Sequence, residues 1–333
     1  MSVRDTYDGL AYRCVMSEGL DRYLEAATRA NTCRSYAGAV RHFEIDWGGM
    51  LPATADSVAR YLAAYAGKLA VNTLKHRLAA LAQWHREQGF ADPTRAPLVR
   101  KVLKGVQAVH AREDKRAEPL QIAELKQVSR WLTTTIAEPD TTPAKALAYQ
   151  RDHALVLLGF WRGFRTDELM RLEVQNIRLA ASKGMTCFLP RSKGDRQNQG
   201  NTFKVPALTR LCPVTAVRHW IAAANLADGP LFRSVSRWGH VGATSLHPNS
   251  FVPLLRRIFA ESGLSSADAY SGHSLRRGFA GWANANGWDV KALMEYVGWK
   301  DVRSAMRYID GGDPFRNLRI EASLKEPVAL TAV

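Results

Sequence analysis

The sequence predicts a mainly α-helical protein of two domains, the second carrying a small β-hairpin or sheet. Three observations lead there. Apolar residues recur at helical spacing through most of the chain. A length of 333 residues exceeds what one ordinary core organises. Residues 111–119, AREDKRAEP, are charged throughout, hold no large apolar side chain and end in proline, as a linker does. The expected boundaries are a helical domain over 1–110, the linker over 111–119, and a larger domain over 120–333.

In the first domain, NTCRSYAGAVRHFEIDW places Tyr36, Val40, Phe43 and Trp47 on one helix face. DSVARYLAAYAGKL follows, with Asp56 as its expected cap and Val58, Tyr61, Leu62 and Tyr65 as its apolar face. VNTLKHRLAALAQWHREQG presents Leu74, Leu78, Leu81 and Trp84 and stops at Gly89. In DPTRAPLVRKVLKGVQAVH, Pro97 opens a helix with Leu98, Val102, Val106 and Val109 as its apolar positions, between Arg100, Lys101 and Lys104. The second domain opens with helices PLQIAELKQVSRWL and TPAKALAYQRDHALVLLGFW. A shorter one, TDELMRLEVQNI, follows the GFR turn. MTCFLP and TFKVP then read as two strands around a polar, Gly-containing excursion. Helices return in CPVTAVRHWIAAANL, HPNSFVPLLRRIFAESGL, HSLRRGFAGWANANG, VKALMEYVG and DVRSAMRYID. The sequence shows neither an internal repeat nor a low-complexity tract.

Lys and Arg number 46 against 31 acidic residues, a net charge of +15, which points to a polyanionic partner, nucleic acid first. The excess is spread along the chain: 18 basic and 12 acidic residues up to residue 117, then 28 and 19. Both domains are therefore expected to meet phosphate. No apolar run of membrane-spanning length occurs, and the N-terminal MSVRDTYDGL lacks the apolar centre of a signal peptide. Cys14, Cys33, Cys187 and Cys212 are scattered, forming neither a disulfide framework nor a metal motif, so a reducing cytoplasm is expected. His240 and His247 share a polar loop without an evident third ligand; no metal and no cofactor are expected.

His273 and Arg276 in HSLRR stand three positions apart, so a helix projects both from one face, able to grip a single anion. Trp299 precedes Tyr308 by nine residues. Taken in order, Arg165 in GFRTDEL, Lys193 in RSKGDR, His273 and Arg276 in GHSLRR, Trp299 in VGW and Tyr308 in MRYI resemble the motif set of the tyrosine recombinase, or phage integrase, family. The layout is most similar to Cre-type site-specific recombinases, with tryptophan where many members have histidine. The resemblance spans nearly the whole chain, and its motifs lie in the C-terminal two thirds.

It implies an N-terminal helical, SAM-like core-binding domain and a C-terminal catalytic domain. It also implies DNA strand breakage and rejoining through a 3′-phosphotyrosyl link to Tyr308, with no metal or nucleotide. The residue types suit that chemistry. A phosphodiester is already anionic and gathers more charge on its nonbridging oxygens in the transition state. Arg165 and Arg276 would hold those oxygens bidentately without losing charge at neutral pH. The Trp299 indole is a donor only, and His273 would donate or manage the phenol proton. A free phenol has a pKa of about 10, so Tyr308 needs such help to attack. Lys193 would protonate the leaving 5′ oxygen; Lys183 and Lys204 flank the same hairpin as alternatives. Glu168, three residues beyond Arg165, matches the family's acidic position and would hold the site's side chains in place. Arg162 competes with Arg165 for the first arginine role, or would contact backbone phosphate. Tyr296 reads as packing, and Tyr270 is a further tyrosine close to the motifs.

For double-stranded DNA, the candidate groove helices are VNTLKHRLAALAQWHREQG and HPNSFVPLLRRIFAESGL, with Lys75, Arg77, His85 and Arg256 as candidate contacts. After Tyr308, Gly311, Gly312 and Pro314 break the helix. The tail beyond carries Phe315, Leu318 and Leu324 and is expected to dock on a neighbouring copy, giving a homo-tetramer on two recombination sites that works through a Holliday junction. Only about 30 residues precede the first clear helix, which favours a simple Cre-like system without an arm-binding domain. The alternatives are a catalytically inactive or architectural DNA-binding relative, and relaxation of supercoils in the manner of a type IB topoisomerase. The sequence identifies neither the DNA site nor an accessory protein.

Overall fold

A computed structural model describes residues 30–111, 117–180, 183–190 and 199–309. The expected loop lysine Lys193, most of the linker (112–116) and the tail beyond 309 lie outside the described residues. The chain divides into two compact units, Met1–Asp114 and Lys115–Val333.

In the first unit, α1 (Ala30–Arg41) runs into a π-helical turn, His42–Asp46, followed by α2 (Ala55–Tyr65), α3 (Val71–Glu87) and α4 (Pro97–Val109). Their apolar stripes close on Phe43, Val58, Tyr61, Leu62, Leu74, Leu81, Val99 and Val106, all buried. Two sequence expectations shift by a residue or two. Thr54, not Asp56, caps α2: its hydroxyl accepts the Ser57 N–H at 3.1 Å, while Asp56 sits in the first turn paired with Arg60. On α4 the buried stripe is Val99, Val102, Leu103 and Val106, spaced i, i+3, i+4, i+7, and Leu98 and Val109 face solvent.

His85 is corrected outright as a DNA contact. It is fully buried, its Nε2 accepts the Ala53 N–H at 2.8 Å, and its Nδ1 therefore carries the proton that meets the Leu81 carbonyl at 2.7 Å. Nε2 ties α3 to the turn before α2, Nδ1 is held by a carbonyl of α3 itself, and nothing of the ring is left for DNA. Arg77 is also engaged: its guanidinium donates to the Tyr61 hydroxyl at 2.9 Å, rests against His42 and lies over the Tyr65 ring. Lys75 is exposed.

The second unit is built around α6 (Pro143–Arg162), whose residues from Ala154 to Phe160 are all buried. Against it pack α5 (Ile122–Ala137), α8 (Pro213–Ala223) and α10 (Ser274–Ala285). The helix expected over TDELMRLEVQNI ends early: α7 covers only Thr166–Met170. Tertiary hydrogen bonds claim the backbone beyond it, with Leu231 N–H to the Leu172 carbonyl and Val174 N–H to the Gly229 carbonyl, and Ile177–Ala180 becomes β1. The expected hairpin forms as β2 (Gly184–Leu189) and β3 (Asn201–Pro206), and β1 completes an antiparallel sheet of order β1-β2-β3. Register puts Cys187 opposite both Ile177 and Phe203. Met185, Cys187 and Leu189 alternate inward, as period two requires.

A second antiparallel pair, β4 (Arg233–Val235) and β5 (Val241–Ser245), was not expected from sequence. Then come α9 (Pro248–Glu261), α11 (Val290–Val297) and α12 (Val302–Ile309). Glu118 and Leu120 donate backbone hydrogen bonds to the Ala269 and Ser274 carbonyls, so the chain enters this unit beside the start of α10. The fold is thus mainly α with a small antiparallel sheet. Among the described residues no helix is long and apolar enough to cross a membrane.

Candidate active site

Four helix ends, those of α6, α7, α10 and α12, and the loop that carries Trp299 build the site. Gly163, in the left-handed conformation at φ 60°, stops α6 and turns the chain so that Arg165 lies at the N-cap of α7. Glu168, one turn on, grips Arg165 twice: Oε2 accepts its backbone N–H at 2.8 Å and Oε1 its Nη1 at 2.7 Å. Glu168 is buried, and its Oε2 is also 3.8 Å from Nη1 of Arg276. One carboxylate is therefore shared between two guanidiniums arriving from α7 and α10.

Arg276 is fully buried. Its Nη1 donates to the carbonyl of Gly163, joining α10 to the end of α6. Its Nε and Nη2 are also buried and have no hydrogen-bond partner among the described residues, and the same holds for Nε1 of Trp299. The Arg276 guanidinium lies 4.8 Å from the Trp299 ring and 5.7 Å from the Tyr308 ring, and the two rings are 5.0 Å apart. Burial, above all, pushes the Arg276 pKa down to about 10; Arg165 adds to the shift and Glu168 opposes it. The group stays cationic at neutral pH. Buried donors without acceptors are costly, and donors of this kind beside a cation are chemically suited to an anionic ligand.

The Tyr308 hydroxyl, on α12, meets Nδ1 of His273 at 3.2 Å. His273 caps α10, one turn before Arg276, and is exposed while Arg276 is buried. The phenol thus has an imidazole on one side and the Arg276–Trp299 donors on the other. Such a constellation can bind a phosphate, hold a phenol against it and move a proton.

Six of the residues singled out in the sequence, Arg165, Glu168, His273, Arg276, Trp299 and Tyr308, are joined by these contacts. Lys193 falls outside the described residues. The hairpin that carries it opens nearby, because Asn201 and Phe203 of β3 line one cavity with Glu168, Trp299 and Lys300. Lys183 precedes β2, at the end remote from that excursion, and Lys204 is exposed on β3 opposite Thr186.

Arg162 is corrected as a backbone-phosphate contact: it is buried beneath Tyr296 and Phe203. Tyr296 packs on Arg162, Phe279 and Trp288. Tyr270 donates its hydroxyl to Glu124 at 2.8 Å. Arg256 spends its Nε on the Tyr270 carbonyl at 3.0 Å, and its Nη1 faces Asp268 at 3.8 Å. Sequence reasoning missed the Gly163 carbonyl, for which a glycine after a long apolar helix was the available signal, and Lys300, which only its place beside Trp299 could have suggested.

A model of the phage integrase family matches residues 126–313. The chain is 27% identical to the integrase/recombinase xerD homolog of Selenomonas ruminantium over 306 residues, covering 89% of this chain and 86% of that one. It is 26% identical to the recombinase cre of Escherichia phage P1 over 296 residues, 84% and 81% of the two chains. The fold is similar to that of the XerH site-specific recombinase bound to palindromic difH substrate, with a TM-score of 0.61 at 18% identity over 88% of this chain and 80% of that one.

Proposed function

This chain belongs to the phage integrase family and is a tyrosine recombinase; on that premise we propose that it cuts and rejoins double-stranded DNA at specific sites through Tyr308. The observation that carries the mechanism is the convergence of the buried, unpartnered donors Arg276 Nε, Arg276 Nη2 and Trp299 Nε1 beside a phenol hydrogen-bonded to His273. A scissile phosphate bound beside them would offer these donors the acceptors they lack. Arg165 and Arg276 then hold the nonbridging oxygens and stabilise the charge that grows on them. The Tyr308 oxygen attacks phosphorus, its proton passes toward His273, and the bond to the 5′ oxygen breaks. Lys193 gives that oxygen a proton, leaving a 3′-phosphotyrosyl protein and a free 5′ hydroxyl. A 5′ hydroxyl from a second duplex reverses the steps, so the phosphodiester is restored without ATP. Glu168 orients both guanidiniums and takes no part in bond cleavage.

The protein acts in this proposal as a homo-tetramer on two sites, through a Holliday junction, with the tail beyond Tyr308 docked on the neighbouring copy. It works in the cytoplasm. Lys75, exposed on α3, and the partly exposed Arg256 on α9 are the favoured groove or phosphate contacts; Arg77 shapes the surface of α3 through Tyr61 and His42.

Covalent trapping tests the reading. Wild type and Tyr308→Phe are incubated with nicked genomic DNA fragments and denatured, and the DNA that stays attached to protein is sequenced. A 3′-linked adduct from wild type alone is expected, and its ends report the recombination site. DNA-binding wild type that yields no adduct overturns the mechanism and leaves an architectural role.

A further inference from the structure

Arg162, in the last turn of α6, has no part in the steps above, yet its charge is buried in the second unit. It is 5% exposed, and its Nε and Nη1 are buried without a hydrogen-bond partner among the described residues. Aromatic faces take the place of water: the guanidinium lies 4.2 Å from the Tyr296 ring, 4.8 Å from Phe203 and 6.0 Å from Phe164. Cation–π contact offsets part of the lost hydration but supplies no counter-charge. The next residue, Gly163, offers the carbonyl that Arg276 holds. Burial lowers the Arg162 pKa, with Glu168 among the groups that oppose the shift, and Arg162 in turn contributes to the lowering at Arg276. Three guanidiniums, Arg162, Arg165 and Arg276, thus share the field of Glu168.

Buried like charges are unfavourable at rest, and a neutral side chain of similar volume would cost the free protein less. The arrangement is repaid when an anion arrives, because a charge already desolvated acts on it through a low dielectric and needs no reorganisation.

We propose that Arg162 is a positioning residue for strand cleavage: without touching DNA, its aromatic-caged charge sustains the positive potential that the Arg276–Glu168–Arg165 cluster presents to the scissile phosphate. This rests on the recombinase reading above. Two variants separate charge from packing. Arg162→Met keeps the volume and removes the charge; Arg162→Lys keeps the charge. Each is compared with wild type for rate of adduct formation on the same nicked genomic fragments, for affinity to them, and for melting temperature without DNA.

The expected result is that Arg162→Met binds DNA as wild type does, melts at the same or a higher temperature, and forms adduct about tenfold more slowly, while Arg162→Lys stays within about threefold of wild type. Adduct formation by Arg162→Met at the wild-type rate overturns the proposal. So does a loss that is equal in both variants or that follows a lowered melting temperature, since packing would then be the cause. If wild type forms no adduct, the recombinase mechanism fails, and this proposal with it.

Discussion

Arg276 and Glu168 illustrate how much of this site is decided one side chain at a time. A guanidinium with no exposure is tolerable only if its donors find acceptors, and here one goes to a carbonyl, one faces a carboxylate already committed to Arg165, and the remainder wait. The half-met requirement separates a binding site from an ordinary buried ion pair. A half-buried titratable side chain, His153, serves stability instead. Its Nε2 lies 2.7 Å from the Ser129 hydroxyl, and burial, with His219 adding to it, pushes its pKa down from 6.5 to about 4. A lowered pKa on a base means that the unfolded chain takes up the proton first. Stability is therefore intact above pH 6.5 and lost as the pH falls toward 4. The loss attributable to this group is expected to be about 3 kcal/mol. Denaturant titrations at both ends of that window check it: His153→Gln should flatten the difference, and an unchanged pH dependence refutes the assignment.

At the scale of elements, α10 does most to assemble the site, since it carries His273 at its cap and Arg276 one turn later. Its place is set by close approach to the chain entering the unit. A Cβ on Gly278 would run into the Leu120 carbonyl and the Phe160 ring, whereas one on Gly281 of the same helix would meet nothing within 4 Å. Gly278→Ala is expected to destabilise by about 1–3 kcal/mol and to slow adduct formation, because α10 must shift. Gly281→Ala should instead stabilise by about 0.5–1 kcal/mol with cleavage unchanged. Melting curves and single-turnover cleavage of the pair test this; equal effects would show that the contact with Leu120 does not locate the helix. Helices and the β2–β3 hairpin were legible in sequence because their periodicities are local. Strand β1 and the β4–β5 pair were not, because they are short and largely exposed and carry no apolar alternation. Nor was the early end of α7, where Gly229 and Leu231, distant in sequence, claim the backbone beyond it. The one-residue rotation of the α4 stripe had the same origin: Leu98 and Val99 are equally apolar, and only the neighbouring helices select which is covered.

For the whole molecule, the positive excess in both halves of the chain fits two units that each meet DNA, and the proposed tail docking joins copies bound to separate sites. Deleting residues 315–333 should leave binding to a single DNA fragment within about threefold of wild type, because that affinity comes from distributed phosphate contacts, while pairing of two fragments and strand exchange fall steeply. Gel shifts and a two-duplex exchange assay measure the two quantities separately, and undiminished exchange by the truncated chain would sink the tail's role. By itself the sequence determined the mainly helical class, most of the helices and the basic character, and through its resemblance to a known family it singled out the side chains Arg165, Glu168, His273, Arg276, Trp299 and Tyr308 as candidates. These are properties of residue type and spacing, which chain order preserves. Tertiary structure alone decided that His85 is a buried tie between backbone segments, that Arg162 lies in an aromatic cage, and that Glu168 is shared between Arg165 and Arg276. Burial and hydrogen-bond partnership depend on elements brought together from far apart in the chain, and the same histidine or arginine has a different chemistry in water and in a closed core.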